Sequence, residues 1–186
     1  RVIKVSLGTG DAPPVRIGAV TLDPFEEQLF SSVIDPAAGY AYFGTRTAPG
    51  SVVKIALGAG TNPPTRVGAA RLEFGEDLLR TAVIDTAAGY AWFGTFSDRG
   101  HVVKVALGTG AELPSRVDGL RLEFGENRLT CAVIDRAAGQ AWFGTRTTAA
   151  KVIKVDLGSG DAPPTRLGTL TLEPGEDFLS CASLSA

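Results

Sequence analysis

The feature that most constrains this chain is an internal repeat of 50 residues that runs without insertion or deletion. The string IDPAAGYAYFGT at residues 34–45 returns as IDTAAGYAWFGT at 84–95 and as IDRAAGQAWFGT at 134–145. A repeat of this length indicates an array of one supersecondary unit, in which each unit buries its apolar faces against its neighbours. With 44% hydrophobic and 20% charged residues, the 186-residue chain has the composition to build such a core.

Each repeat contains four short strand patterns joined by turn signals. In the second copy these are VVKIALG (52–58), TRVGAARLEF (65–74), LLRTAVID (78–85) and YAWFGT (90–95). A proline-containing turn, a GE[DN] loop and an AAG turn separate them, and no helical stretch intervenes. The sequence therefore predicts an all-β fold, a β-propeller of four-stranded antiparallel blades. A β-solenoid is the weaker alternative, because its coils are usually shorter and need fewer turns.

The motif [VI]ID-x-AAG-[YQ]-A-[YW]-FGT, followed by V[VI]KV-x-LG-x-G, resembles the repeats of YVTN-type, surface-layer-like bacterial β-propeller proteins. The resemblance covers the whole chain. It implies that LLRTAVID is the innermost strand A, that YAWFGT and VVKIALG are strands B and C, and that TRVGAARLEF is the outermost strand D. It also implies an extracellular or cell-surface location, but no particular activity, because propellers carry many unrelated functions.

This assignment predicts a single repeat array over residues 1–186, of about four blades and one strand short. Strands C and D of a first blade fall in 1–30, complete blades in 28–77, 78–127 and 128–177, and a last strand A in 178–186. The absent strand B leaves two unpaired edges, and exposed edges recruit other strands. Three outcomes stay open: a compact four-bladed ring, an eight-bladed ring of two chains, and a strand accepted from another chain. We therefore expect a homo-oligomer or strand exchange.

The charge and hydropathy of the chain argue against several classes of partner. The net charge is −2 and the basic residues occur singly, which argues against nucleic acid as a partner. No apolar run approaches the roughly 20 residues that span a bilayer, so we expect no membrane insertion. The chain begins with Arg1 and has no methionine. We therefore expect that a leader or earlier repeats precede it.

The charged residues recur in columns, one per repeat. The predicted roles are architectural: aspartates such as Asp35 cap the A–B turn, and lysines such as Lys54 bridge to a carboxylate. An active site needs different groups converging on one atom, which a symmetric column does not supply. We expect no catalytic residue, no cofactor and no metal site. The predicted function is a non-enzymatic binding or assembly scaffold. The alternative is a fragment of a larger enzymatic or lectin-type propeller whose asymmetric site lies in missing blades.

Two sets of residues are the candidate binding surface for a protein or surface ligand. The D–A loops carry one glutamate per repeat and are predicted to open onto the axial mouth, where carboxylates could hold a cation. The alternative is that each glutamate satisfies its own loop or pairs with lysine. The B–C loops at 46–50, 96–100 and 146–150 vary most, and variable loop tips are where specificity resides. The candidates are Glu26, Glu76, Glu126, Glu176, Arg46, Phe96, Asp98, Arg99 and Arg146.

Two further columns are predicted to be packing positions. Tyr42, Trp92 and Trp142 lie mid-strand, which favours packing between blades over stacking on a sugar. Cys131 and Cys181 occupy a column of small residues, and no disulfide is predicted between them.

Overall fold

The fold consists of β-strands joined by tight turns. The structure is a computed structural model that describes residues 1–184. The strands are β1 (Val2–Ser6), β2 (Val15–Val20), β3 (Leu29–Asp35), β4 (Tyr40–Thr45), β5 (Ser51–Ala56), β6 (Thr65–Arg71), β7 (Leu79–Asp85), β8 (Tyr90–Thr95), β9 (His101–Ala106), β10 (Ser115–Arg121), β11 (Leu129–Asp135), β12 (Gln140–Thr145), β13 (Lys151–Asp156) and β14 (Thr165–Thr171). No helix in the described residues is long and apolar enough to cross a membrane.

Strands that follow one another in the chain pair in antiparallel sheets. β3–β6, β7–β10 and β11–β14 form three four-stranded sheets, and β1–β2 form a two-stranded sheet. The inner strands β3, β7 and β11 lie side by side, so that the sheets are arranged as blades around an axis. This confirms the predicted all-β propeller, with strands C and D alone in the first blade.

The A–B turn shows how the repeat specifies its local geometry. Asp35 Oδ1 accepts a hydrogen bond from the Ala38 N–H at 3.0 Å, and Gly39 takes a φ of 80°. Only glycine adopts this conformation without a steric penalty, which explains why AAG closes the turn. The Asp85 and Asp135 carboxylates accept equivalent bonds. The predicted capping role of the aspartates is confirmed.

The core lies between the blades. One side of each interface contributes an aromatic residue of strand B and apolar residues of strands C and D. The other side contributes apolar residues of the next blade. The Tyr42 hydroxyl donates to the Leu107 carbonyl at 3.1 Å, and Trp92 Nε1 donates to the Leu157 carbonyl at 3.2 Å. Both aromatic side chains are buried, which confirms that they pack between blades.

The structure corrects the prediction of a last strand A. Residues 178–184 form no strand, and residues 185 and 186 of the predicted segment lie outside the described residues. A strand needs a partner ladder, and this segment has no strand B beside it. It is held by isolated bonds, such as that from the Leu179 N–H to the Thr145 carbonyl at 3.1 Å. Among the described strands β1 pairs only with β2, so no pairing within residues 1–184 closes the array into the compact four-bladed ring.

Candidate binding surface at the loop end of the blades

The D–A and B–C loops lie together at one end of the array. The Gly50 N–H donates to the Glu76 carbonyl at 2.9 Å, and the Gly100 N–H donates to the Glu126 carbonyl at 3.0 Å. Each B–C loop is thereby tied to the D–A loop that follows its own blade. This backbone contact fixes the positions from which the candidate side chains project.

Three of the four D–A glutamates, Glu26, Glu76 and Glu126, are buried in ion pairs with arginines of the neighbouring blade, whereas Glu176 is exposed. Glu76 accepts two hydrogen bonds from Arg116, at 2.8 and 2.7 Å, and Glu126 is paired in the same way with Arg166. Glu26 is paired with Arg66. In each pair the arginine lies 40 residues beyond the glutamate, on strand D of the next blade. The pairs therefore join adjacent blades.

Each carboxylate also accepts a hydrogen bond from a backbone N–H of its own loop, and Glu126 accepts one more from the Thr169 hydroxyl of the next blade. Oε2 of Glu76 accepts the Glu73 N–H at 3.0 Å, and Glu176 accepts the Glu173 N–H at 2.9 Å. The alternative that each glutamate satisfies its own loop is confirmed. The predicted pairing with lysine is wrong, because the arginine of the next blade occupies that place. Asp77 and Leu78 of one D–A loop line the cavity described below, whereas none of the four glutamates is in that lining.

The Glu126 pair makes stability depend on pH. Burial raises the pKa of Glu126, but hydrogen bonds from Arg166 and Thr169 outweigh it, so the pKa lies below its ordinary 4.5. A carboxyl whose pKa is lowered on folding contributes stability above its unfolded pKa and loses it as the pH falls through the folded value. We expect the free energy of unfolding of the wild type to exceed that of Glu126→Gln at neutral pH.

The difference in the free energy of unfolding between the wild type and Glu126→Gln should narrow as the pH falls from about 5 to about 3. Urea denaturation at a series of pH values measures it. A gap of constant size across this range would contradict the linkage.

The lysine column binds backbone carbonyls rather than the predicted carboxylates. Lys104 Nζ donates to the carbonyls of Gly158, Gly160 and Ala162 at 2.7, 2.6 and 2.9 Å, within the C–D turn of the next blade. One blade earlier, Lys54 donates to the carbonyls of Leu107, Gly108 and Glu112 in the corresponding turn. Burial lowers the pKa of Lys104. Three convergent carbonyl dipoles are well suited to an ammonium group, so this column also joins blades and is not a ligand site.

A cavity of about 570 Å³ opens among the loops and inner strands. Four arginines and two phenylalanines of different repeats line it: Phe30, Arg46, Arg80, Phe96, Arg128 and Arg146. Three of the predicted residues, Arg46, Phe96 and Arg146, are in this set, and Asp98 also lines the cavity. Arg99 does not line it and points its carbonyl toward the Ser97 hydroxyl, at 2.6 Å.

The cavity walls combine positive charge with aromatic faces. The Arg80 guanidinium carbon lies 5.0 Å from the centre of the Phe30 ring and 5.3 Å from that of Phe96, and that of Arg46 lies 5.2 Å from Phe30. The acidic side chains in the lining are Asp77 and Asp98. Four arginines against two aspartates leave an excess of positive charge. Arg128 donates to Asp98 at 3.3 Å, and Arg46 donates to Gln28 Oε1 at 3.5 Å. The guanidinium groups of Arg80 and Arg146 make no hydrogen bond among the described residues, so their donors are free for an anion.

Sequence reasoning missed Arg80 and Arg128. Arg80 shares a column with Phe30, Thr130 and Ser180, and Arg128 shares one with Gln28, Leu78 and Phe178. The available signal was the variation itself, since these are among the most variable columns at the start of strand A. The sequence prediction relied on the constant columns of the repeat. The cavity instead forms where the inner strands of different blades bring unlike residues together.

Asp77, in the same lining, carries a buried oxygen without a partner. Its Oδ1 has no hydrogen bond among the described residues. The equivalent Asp177 accepts the Ala149 N–H at 2.6 Å. The residue that corresponds to Ala149 in the earlier repeat is Pro49, which has no N–H to donate. Burial raises the pKa of Asp77. The buried Oδ1 of Asn127, at the same position of the following repeat, also has no hydrogen-bond partner among the described residues.

No group of three or more His, Cys, Asp or Glu side chains is placed to hold a metal ion within residues 1–184. Cys131 is buried and Cys181 is exposed, and both are free thiols.

No known family profile and no curated protein matches the sequence. Solved structures do match. The chain is similar to Sqt1 of Saccharomyces cerevisiae (TM-score 0.62, 13% identity), covering 82% of this chain and 38% of that one. It is similar to the WD40 repeats of RRP9 (TM-score 0.60, 10% identity), covering 83% and 41%. A putative 6-phosphogluconolactonase from Bacteroides uniformis also matches (TM-score 0.64, 11% identity), covering 86% and 48%.

These likenesses establish the fold. The chain is a β-propeller array. It spans less than half the length of each of the three solved propellers. At 10 to 13% identity they carry no assignment of activity, because propellers of one architecture perform unrelated functions.

Proposed function

We propose that this chain is a non-enzymatic propeller scaffold that binds an acidic segment of a protein partner in its arginine cavity. The observation that carries the proposal is the convergence of Arg46, Arg80, Arg128 and Arg146 on one cavity beside Phe30 and Phe96. The arginines would bind carboxylates through paired N–H donors, and the phenylalanine rings would cover apolar side chains between them.

The loop geometry supports a binding role. The cavity is formed by residues that differ between repeats, while the columns that hold the blades together are nearly constant. Variable side chains on a rigid scaffold are the usual place for recognition. The rings of Phe74 and Phe124, on the D–A loops of the same end, are exposed as well. Such exposed aromatic residues favour a protein partner.

The resemblance to surface-layer-like repeats favours a secreted or cell-surface setting for this binding. Labelling of intact source cells with an antibody against the chain tests that setting. The enzymatic or lectin-type alternative requires an asymmetric site in further blades, and the likeness to a putative lactonase extends only to the fold.

Removal of cavity arginines should weaken binding of an acidic peptide. We expect a fluorescein-labelled polyglutamate peptide to bind the wild type, and Arg80→Ala to weaken it about tenfold, because each charged hydrogen-bond donor is worth about 1.5 to 3 kcal/mol. Added salt should weaken binding further. Fluorescence anisotropy measures both effects.

Arg99→Ala is the matched control, since Arg99 lies in the same loop as Phe96 and Asp98 but outside the lining. It should leave the affinity unchanged. Equal binding of a polylysine peptide, or an equal loss in Arg99→Ala and Arg80→Ala, would overturn the proposal.

A further inference from the structure

One D–A loop holds a phenylalanine in a backbone conformation that the other copies give to glycine. Phe25 has a φ of 70°, and the residues at the same repeat position are Gly75, Gly125 and Gly175, with φ values of 90°, 79° and 93°. A bulky side chain is disfavoured at positive φ. The Phe25 ring is 80% exposed, so its packing does not offset this strain. Backbone strain that the fold does not require points to a functional role.

The strand that faces this loop also differs from its copies. Between the second and third blades, His101 at the start of β9 reaches the loop, and its Cε1 would lie 4.0 Å from a Cβ atom added to Gly75. Lys151 Nζ would lie 3.3 Å from a Cβ atom added to Gly125. The residue at this position in β5 is Ser51. Its side chain is too short to cover the loop in the same way.

A pocket of about 410 Å³ opens between this loop and the start of β5. Phe25, Ser51 and Arg71 line it, together with the paired side chains of Glu26 and Arg66. The Arg71 guanidinium group makes no hydrogen bond or ion pair within residues 1–184. The pocket therefore combines an exposed phenylalanine ring, a hydroxyl group and a guanidinium group, in a place that an imidazole approaches in the next copy.

The pocket is independent of the open edge of the first blade. All of its lining residues belong to the first D–A loop, the following B–C loop, β5 or β6. The second and third D–A loops have complete blades on both sides. Apart from its chain neighbours, the glycine of each has only the side chain of the next strand C within 4 Å of its Cβ position. The blade before a D–A loop thus leaves this position open.

The groups in the pocket fit a planar aromatic side chain. A ring placed against Phe25 is stabilised by offset or edge-to-face stacking. The Arg71 guanidinium group binds the face of an aromatic ring. The Ser51 hydroxyl is a hydrogen-bond partner for the phenolic hydroxyl of a tyrosine. The contact of His101 with the next loop shows that a planar ring fits between this strand and this loop.

The pocket adjoins the arginine cavity, because Ala48 of the B–C loop lines both. A segment that crosses this loop can place its carboxylates among the arginines and one side chain in the pocket. We infer that the pocket binds an aromatic side chain, preferably a tyrosine, of the acidic segment that the arginine cavity binds, so this inference rests on the proposed function. Aromatic side chains in such pockets often supply much of the binding energy of an interface.

Peptide binding at pH 8 tests the pocket, since the imidazole of an introduced histidine is neutral at this pH. A fluorescein-labelled octaglutamate is compared with peptides in which one tyrosine replaces each glutamate in turn. We expect the tyrosine at one position to tighten binding to the wild type about tenfold. Fluorescence anisotropy measures the dissociation constants.

Two substitutions borrow residues from other copies of the repeat. Ser51→His gives β5 the ring of β9 and should remove the gain from tyrosine, with the affinity for octaglutamate unchanged. Phe25→Gly should also remove the gain. It should raise the midpoint of urea denaturation, because glycine adopts this φ without a steric penalty. Phe74→Ala is the control and should keep the gain, since Phe74 is an exposed ring of the next D–A loop outside the lining.

The outcomes separate this inference from the proposed function. If octaglutamate binds but no tyrosine position adds affinity, or if Ser51→His keeps the gain, the inference is overturned and the proposed function is not. A lower urea midpoint in Phe25→Gly would assign Phe25 to the fold and would also overturn the inference. If only a tyrosine peptide binds, and Ser51→His abolishes that binding, the pocket is supported and the arginine cavity is not. If no peptide binds, both are overturned.

Discussion

Lys104→Met should lower the free energy of unfolding by about 3 kcal/mol or more, because it removes a charged donor and leaves three carbonyls of the next blade without a partner. Lys104 is fully buried and reaches Gly158, Gly160 and Ala162 across the blade interface. The methionine matches the length of the aliphatic stem, so the loss reports the ammonium group rather than a cavity. Urea denaturation followed by tryptophan fluorescence measures it.

Lys4→Met is the matched control. Lys4 makes the same three carbonyl contacts, to Gly58, Gly60 and Asn62, but it is only partly buried. Water can replace the lost bonds there, so we expect a much smaller loss of stability. Equal losses in the free energy of unfolding in the two variants would show that the burial of the lysine does not determine how much it stabilises the fold.

The interblade ion pair should give the second large effect. Glu76→Ala leaves the Arg116 guanidinium partly buried, with Glu73 as its remaining acidic contact at 3.2 Å. It also removes the acceptor of the Glu73 N–H. Breaking one partner of a buried pair costs about 3 to 5 kcal/mol, and the partial exposure of Arg116 places this site toward the lower end. Urea denaturation of the variant measures the loss.

A double-mutant cycle with Arg116→Met separates the contribution of the Glu76–Arg116 ion pair from that of the hydrogen bond within the loop. The double variant should be more stable than the sum of the single losses predicts, by about 1 to 2 kcal/mol, because neither charge is then left without the other. Strict additivity of the two losses would mean that Glu76 acts only through its own loop.

Local pattern was sufficient to predict the strands. Their alternation of apolar residues and the Asp and Gly residues of the AAG turn act over a few neighbouring positions, and each acts in the same way in every copy. The repeat then made the blade architecture predictable, since four strands that cannot bury both faces alone must stack against copies of themselves. The packing of Tyr42 and Trp92 between blades follows from the same reasoning.

The residues that contact the charged columns could not be predicted, because they depend on how the blades stack. Glu76 lies 40 residues from Arg116, and no local rule relates two such distant positions until the angle and spacing of the blades are known. The same holds for Lys104, whose acceptors are backbone carbonyls. Every residue has such a carbonyl, so the sequence does not identify the acceptors.

The sequence by itself determined the repeat, the strands and the blade order of this protein, because those features depend on contacts within one repeat or between identical repeats. Only the tertiary structure decided that residues 178–184 lack a strand ladder, that Glu26, Glu76 and Glu126 pair with arginines of the next blade, and that Arg80 and Arg128 join Arg46 and Arg146 at one cavity. The physical reason is that these outcomes depend on which side chains of different blades meet across a shared axis and which strand edges find a partner.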